Sequence, residues 1–379
     1  KRISEFMKIV ITGARGFVGQ NVKMFLERST LDANVIGLSH SDDELTVQRA
    51  LEHVDVVIHT AGVNRPDQDD EFISGNVHYA ESIFKRATES SSCKRFILLS
   101  SAQATQDNEY GKSKLLAEDC LKDLAISKDV SLDIYRLPGV FGKWSRPNYN
   151  SVVSTFCHNI SRGISIQIRD ASYALNIVYI DDVVRQFYAL IQEKYEAGTH
   201  YREVDPIHSI SLGSLADLLQ MFKSSRETLE IARFNDPLIK KLYTTYLSYL
   251  PKDSFNYKLL ERKDNRGKLA ELIKGEQFGQ IFISTTNPGI TRGNHFHHLK
   301  VEKFCVMEGE AKVHFRDVRG EDHFTYDVSG EEWEVIDIPP GYLHSLENSG
   351  DSKMICLFWA NEPFDMENPD TYYEPVIKE

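Results

Sequence analysis

Residues 8–19 read KIVITGARGFVG, and this stretch decides the fold. A short apolar strand runs into three glycines, Gly13, Gly16 and Gly19, and the segment FVGQNVKMFLERS that begins within it has helical apolar spacing. Residues without a Cβ let the backbone turn tightly and approach a pyrophosphate. The following helix then presents its free N–H groups to the phosphates. A glycine triplet alone is a weak signal; the strand before it and the helix after it support the dinucleotide-binding reading. The next strand ends in LSHSDD. Ser39 and His40 stand where an NAD enzyme places the acid that holds the ribose 2′-hydroxyl. Arg15 lies inside the glycine loop, where a cation can meet a 2′-phosphate. The pattern favours NADP over NAD, against the competing reading of Arg15 as a solvated loop charge.

Outward from this loop, short apolar strands alternate with amphipathic stretches. KIVIT (8–12), NVIGL (34–38), DVVIH (55–59), RFILLS (95–100) and SLDIYRL (131–137) read as buried strands. The β-α-β-α rhythm predicts an α/β domain with a doubly wound parallel sheet of Rossmann type. From about residue 255 the pattern becomes all-β, with closely spaced turn signals, as expected of a sandwich or barrel. Pro and polar residues near SYLPKDSFN interrupt both patterns, so the expected domains are 7–245 and 246–379. KRISEF, ahead of Met7, reads as an expression remnant at 1–6.

The length of 379 residues suits two domains, each able to bury its own core. Lys and Arg number 44 against 56 Asp and Glu, and no basic block stands out, so a nucleic-acid or anionic-membrane role has no electrostatic support. Cys93, Cys120, Cys157, Cys305 and Cys356 are scattered, odd in number and without a CxxC pair, which reads as reduced thiols in a cytoplasmic protein. No apolar run approaches the ~18 residues of a membrane span, and no signal-peptide pattern precedes the first strand.

The segment NEYGKSKLLAED places Tyr110 and Lys114 four residues apart, on one face of a helix. A phenol is a poor acid or base near neutrality, and a neighbouring ammonium favours its ionised form. The fourth strand runs into LLSSAQAT, where a serine can hydrogen-bond a substrate oxygen. With TGARGFVG, HTAGVNRP, YRLPGVFG and VYIDDV in the same order, residues 7 to about 245 resemble the extended short-chain dehydrogenase/reductase family of sugar-nucleotide enzymes. The resemblance implies Ser101 and Tyr110 as the acid/base pair with Lys114 in support. It implies Thr12, Gly13, Arg15, Gly16, Phe17, Gly19, Ala61, Gly62, Lys114 and Pro138 around the cofactor, and Asn64 and Arg65 on the substrate side. Family members that dehydrate sugars carry an Asp-Glu pair where Ala102 and Gln103 stand here. Without that pair 4,6-elimination is disfavoured, and ketone reduction or C4 epimerisation remains.

The later half contains GITRGNHFHHLKVEKFCVMEG (289–309) and PPGYLHSLEN (339–348). On a strand His295 and His297 point to one side. With Glu302 and His344 they make a ligand set that suits Zn²⁺ or another divalent transition metal. These segments resemble the two cupin motifs, the second with Trp333 in place of its leading glycine. RGNHFH also resembles metal-free deoxysugar epimerase cupins, which implies His295 as a base and Arg292 as an anion ligand. Metal is the favoured reading, because His297 and Glu302 otherwise lack a task. His298, His314 and His323 are read as inert, and Lys303 and Tyr342 as weak candidates for proton transfer.

The whole length is similar to the bifunctional capsular polysaccharide enzymes on the route to N-acetyl-L-fucosamine. That resemblance implies a cupin that epimerises C3 of a UDP-2-acetamido-2,6-dideoxy-4-keto-hexose and a reductase that delivers hydride from NADPH to C4. The order is fixed, because reduction removes the ketone that makes C3 acidic. A homodimer is also implied. Two other readings stay open: a reductase whose cupin only dimerises, and a nucleotide-binding regulator or scaffold. The intact Ser101, Tyr110 and Lys114 argue against the regulator.

Overall fold

In the computed structural model, the structure describes residues 6–66, 68, 70–259, 262–264, 267–269, 273, 279–362 and 367–378. Residues 1–5 of the expected remnant lie outside them. The chain forms two compact units: one comprises residues up to Phe141, Asn148–Ser151 and Ala174–Ile210, the other Gly142–Pro147, Val152–Tyr173 and Ser211–Glu379. No helix among the described residues is long and apolar enough to cross a membrane.

The strands of the first unit are β1 (Met7–Thr12), β2 (Ala33–Leu38), β3 (Val56–His59), β4 (Arg95–Ser101), β5 (Ser131–Leu137), β6 (Gly139–Phe141), β7 (Ala174–Tyr179), β8 (Gly198–Arg202) and β9 (His208–Ser211). A six-stranded parallel sheet runs in the order β2-β1-β3-β4-β5-β8, and β6, β7 and β9 form a smaller sheet. The five strands expected from the apolar runs are all present within a residue or two. The helices are α1 (Phe17–Arg28), α2 (Glu44–Leu51), α3 (Tyr79–Ala87), α4 (Glu109–Ala125) and, later in the chain, α5 (Val152–Ser161) and α6 (Ile180–Gln192), of which α5 belongs to the second unit. Side chains start several of them: Asp43 accepts from Thr46 N at the head of α2, and Asn108 from Gly111 N at the head of α4. The core on one face of the sheet joins Val10, Val57 and Phe96 to Leu51 of α2, Phe84 of α3 and Leu121 of α4.

β1 is flanked by β2 on one side and β3 on the other, so the order in which strands are added to the sheet reverses at β1. In open α/β sheets, ligands bind at the carboxyl ends of strands at such a switch. The glycine loop lies there. Gly13 has φ +67°, and a Cβ on it would lie 2.8 Å from the Ala61 backbone. A Cβ on Gly19 would lie 2.3 Å from the Gly13 carbonyl oxygen.

In the second unit, α7 (Leu212–Thr228) and α8 (Pro237–Ser248) accompany α5 and the β-strands. The strands are β10 (Asn256–Lys258), β11 (Arg262–Asp264), β12 (Gly267–Leu269), β13 (Gln280–Thr286), β14 (Thr291–Phe296), β15 (Glu302–Glu308), β16 (Glu310–Asp317), β17 (His323–Ser329), β18 (Glu334–Ile338), β19 (Tyr342–Asn348), β20 (Met354–Ala360) and β21 (Tyr372–Tyr373). Apart from the β11-β12 hairpin, they form two five-stranded sheets, ordered β10-β18-β15-β20-β13 and β17-β16-β19-β14-β21. Strand alternation on β15 sends Glu302 and Phe304 inward and Lys303 outward. The Phe304 ring meets the His344 ring at 5.7 Å, whereas Lys303 Nζ lies 2.5 Å from the wholly buried Asp337. Arg226 of α7 reaches the same carboxylate at 3.4 Å, and Thr244 of α8 donates to Leu299 O at 3.1 Å.

A Gly19→Ala substitution should destabilise the protein by about 1–3 kcal/mol, since the new methyl meets backbone rather than a yielding side chain. Urea denaturation checks this through a lowered midpoint with an unchanged slope.

Candidate active site and metal centre

The parallel sheet places the first group of predicted residues around the switch point. α4 begins on its Asn108 cap, and this phase turns Tyr110 and Lys114 toward the end of β4. Ser101 lies near enough to favour the ionised form of Tyr110, and Lys114 Nζ lies 5.9 Å from the centre of the Tyr110 ring. Burial pushes the Tyr110 phenol up, against the lowering effect of Ser101. Burial pushes Lys114 down to about 8, while the buried carboxylate of Glu118, one turn along α4, opposes that fall. A lysine in this state carries its charge at neutrality yet exchanges a proton readily. That is the electrostatic support a phenol needs to give up its proton.

The glycine loop leaves the head of α1 without a side-chain cap, so its N–H groups face outward for a phosphate. Gly62 lies against Lys114: a Cβ on it would stand 2.9 Å from Nζ and 2.8 Å from Asn76 Oδ1. Pro138 follows β5 in the same unit. Thr12 is wholly buried and its hydroxyl pairs with His59 Nδ1 at 2.9 Å, so it braces β1 against β3 through its side chain. Arg15 is exposed and reaches Ser41 Oγ at 3.3 Å. The end of β2 also holds an acid: Asp42 folds back, and Ser39 N donates to its Oδ2 at 2.6 Å. Arg65 lies 5.9 Å from the Tyr149 ring, and Tyr149 in turn influences Tyr110.

Two residues of this site escaped the sequence reading. Asn76 is buried in a π-helical turn, Ile73–His78, ahead of α3. It accepts from Val63 N at 2.7 Å and donates to Val63 O at 3.0 Å and Ser113 Oγ at 2.9 Å, tying the loop after β3 to α4. Glu118 is the other. Arg136 holds it through two nitrogens, the Tyr201 hydroxyl donates to it at 3.1 Å, and Ser100 donates to it beside Ser101. The four-residue step from Lys114 to Glu118 is the sequence signal that could have found it.

The second group converges in the other unit. One ligand atom from each of His295, His297, Glu302 and His344 lies within 4.8 Å of the others. Strand alternation does not explain this, contrary to the sequence argument. β14 carries a bulge between Gly293 and His295, with Asn294 at φ +58°, and it ends at Phe296. His297 therefore sits in the following turn. The ring centres of His295 and His297 are nevertheless 4.9 Å apart, and those of His295 and His344 4.5 Å. Glu302 Oε2 lies 3.4 Å from both His297 Nε2 and His344 Nε2. Ligands about 2.0–2.1 Å from a tetrahedral zinc stand about 3.3 Å apart, so the cluster has the right spacing. His295 Nδ1, His297 Nε2 and His344 Nε2 are buried without a hydrogen-bond partner. Such groups cost stability unless something else meets them. Burial and the neighbouring imidazoles push His295 down to about 3, so it offers a neutral lone pair. Burial opposes ionisation of Glu302, but His297 and His344 hold its carboxyl well below the usual range. This donor set fits a divalent transition metal.

The remaining candidates separate. Arg292 donates to Thr286 Oγ1 at 3.0 Å and Thr285 O at 3.2 Å. Lys303 is turned outward to Asp337 and Tyr257, which removes it from the cluster. The Tyr342 ring packs on Phe255, and burial pushes its phenol up to about 12. His314, itself buried, is engaged by Glu347 at 2.9 Å and Thr325 Oγ1 at 2.9 Å, and His323 is exposed. Tyr373, which the sequence reading missed, lies across the strand register from His295 with ring centres 5.6 Å apart.

Tyr110→Phe should lower turnover in the dinucleotide unit at least 100-fold with cofactor affinity kept, as read from steady-state NAD(P)H oxidation and cofactor titration. The free-enzyme kcat/KM should fall as pH rises through about 8, where Lys114 loses its charge. Glu118→Gln should move that limb to lower pH, because it removes the group that keeps Lys114 charged.

Comparison with known proteins places this geometry. Residues 9–203 match the NAD dependent epimerase/dehydratase family, and residues 262–372 the polysaccharide biosynthesis C-terminal domain. The chain is 42% identical over 367 residues to the UDP-2-acetamido-2,6-beta-L-arabino-hexul-4-ose reductase of Pseudomonas aeruginosa, covering 97% of this chain and 98% of that protein. The capsular polysaccharide assembling protein CapF from Staphylococcus aureus aligns with a TM-score of 0.65 and 41% identity over 97% of this chain and 99% of its own. MoeE5, solved with UDP-glucose and NAD, shares the fold at a TM-score of 0.51 and 20% identity over 57% of this chain and 82% of its own. The chain belongs to the NAD dependent epimerase/dehydratase family, in the group that includes CapF and joins such a domain to a polysaccharide biosynthesis C-terminal domain.

Proposed function

We propose that this chain is a bifunctional sugar-nucleotide enzyme for capsular polysaccharide precursors of the N-acetyl-L-fucosamine type. Its β-domain, read as a cupin, epimerises C3 of a UDP-2-acetamido-2,6-dideoxy-4-keto-hexose, and its dinucleotide unit reduces the C4 ketone. The observation that carries this is that one chain gathers two sets of side chains suited to these steps, Ser101, Tyr110 and Lys114 in one unit and the histidine cluster in the other. The full-length likeness to a reductase of a 4-ulose sugar nucleotide supports the substrate class. Ser39, His40 and the exposed Arg15 support NADPH, although Asp42 lies close by. The family resemblance read from the sequence also implies a homodimer.

In the reduction, Ser101 holds the C4 oxygen and Tyr110 donates its proton to the alkoxide that forms as C4 takes hydride. Lys114 stabilises the phenolate left behind. NADPH, when bound, supplies the hydride. In the epimerisation, the C4 ketone makes the C3 proton acidic, and His295, His297, Glu302 and His344 would hold a divalent cation. Such a cation supplies positive charge that favours the enolate. The four residues fix that charge in a buried place, where it acts at low dielectric.

Incubation in D₂O with the 4-keto substrate and no NADPH should place deuterium at C3, read by NMR. Removing the metal, or His295→Ala, should abolish exchange while NADPH binding persists. Exchange that survives metal removal would instead make His295 a free base, and its absence in the intact protein would leave a reductase with a structural β-domain.

A further inference from the structure

The segment Pro369–Val376 contributes only Tyr372 and Tyr373 to a sheet, yet hydrogen bonds hold it at both ends. At one end Arg316, only 2% exposed, donates to Val376 O at 2.9 Å, Pro375 O at 3.0 Å and Glu374 Oε1 at 2.7 Å. Glu374 N donates to Asn294 O at 2.9 Å and Val376 N to Asn294 Oδ1 at 3.2 Å, so the bulged residue of β14 grips the same end. At the other end the Asp370 carboxylate accepts the backbone N–H groups of His298, Leu299 and Lys300 at 3.0, 2.7 and 2.7 Å. The backbone carbonyl of Asp370 accepts from His297 Nδ1 at 2.6 Å.

A carbonyl oxygen has no proton to give. Its partner nitrogen on His297 must therefore carry one, so in the neutral ring that a metal requires the lone pair sits on Nε2, the atom 3.4 Å from Glu302. We infer that the segment Pro369–Val376 is a working part of the metal centre and that Asp370 is its positioning residue. Its carboxylate fixes the turn that carries His297, and its carbonyl fixes the tautomer and ring orientation of that imidazole. Groups that orient a metal-binding histidine in this way typically change metal affinity 10–100-fold. The inference rests on the metal reading above.

The test measures Zn²⁺ affinity of the full chain by competition with a fluorescent chelator at fixed pH, with the Tm of each metal-free protein alongside. Asp370→Ala should weaken binding roughly 10–100-fold and Asp370→Asn, which keeps an acceptor for the turn, by less. Equal affinity in Asp370→Ala and the unaltered protein would overturn the inference and leave the metal reading standing. So would a lowered Tm with affinity kept, which marks a merely structural role. Failure of the unaltered protein to bind Zn²⁺ would remove the metal reading and this inference with it. If Asp370→Ala does not fold, Glu374→Ala decides: loss of Zn²⁺ to EDTA should be faster, and an unchanged rate would overturn the inference.

Discussion

No side chain fits where the end of β1 meets the end of β3. Gly13 lies against the Ala61 backbone, and Gly19 lies against the Gly13 carbonyl. This close approach lets the head of α1 stand at the edge of the sheet with its N–H groups open. It also fixes the loop after β3, which Asn76 ties to α4. The reactive residues on α4 are thus measured from the same backbone contact as the phosphate-binding loop. A methyl group at either glycine would shift the site relative to the dinucleotide as well as destabilise the fold.

Buried charge is handled differently in the two sites. In the dinucleotide unit every buried ion named here has a partner. Asp133 is met by Arg95 at 3.1 Å and Arg202 at 2.7 Å, tying β4, β5 and β8 together. Glu118 is met by Arg136, Tyr201 and Ser100, and through its effect on Lys114 it links that bracing to the chemistry. In the other unit Lys303, Asp337 and Arg226 perform the bracing on the outer face of β15. Removing one partner of such a pair leaves a buried charge uncompensated, so these pairs fix register more than they add stability.

On the inner face of the same strand Glu302 faces imidazoles instead. Three buried imidazole nitrogens around Glu302 have no hydrogen-bond partner. Asp337 has the cations of Lys303 and Arg226 beside it on one side of β15, and the proposed divalent cation would play that part for Glu302 and the histidines on the other. The ring nitrogens on the far sides support this: His297 Nδ1 donates to Asp370 O, and His344 Nδ1 to Tyr342 O at 3.3 Å. In the neutral rings both hydrogen bonds leave Nε2 free of a proton, and it is Nε2 that lies 3.4 Å from Glu302 in each.

Much of this was legible in the sequence because it is local. Short continuous apolar runs located the strands of the parallel sheet, and glycine spacing located the phosphate loop. The four-residue step from Tyr110 to Lys114 placed both on one helical face, and the types His, His, Glu and His named the ligand set. Tertiary structure decided the rest. The bulge at Asn294 moves His297 into a turn, so the clustering of these four residues was inferred from a strand geometry that does not hold. Lys303 is one residue from Glu302 and on the opposite face. Asp42 reaches back to Ser39 at the end of β2. The His297 tautomer is set by a carbonyl 73 residues away. Helix and strand periods act over a few residues and are written in the sequence. A hydrogen bond between distant backbone segments has no such period, because it exists only after the sheets have brought its two atoms together.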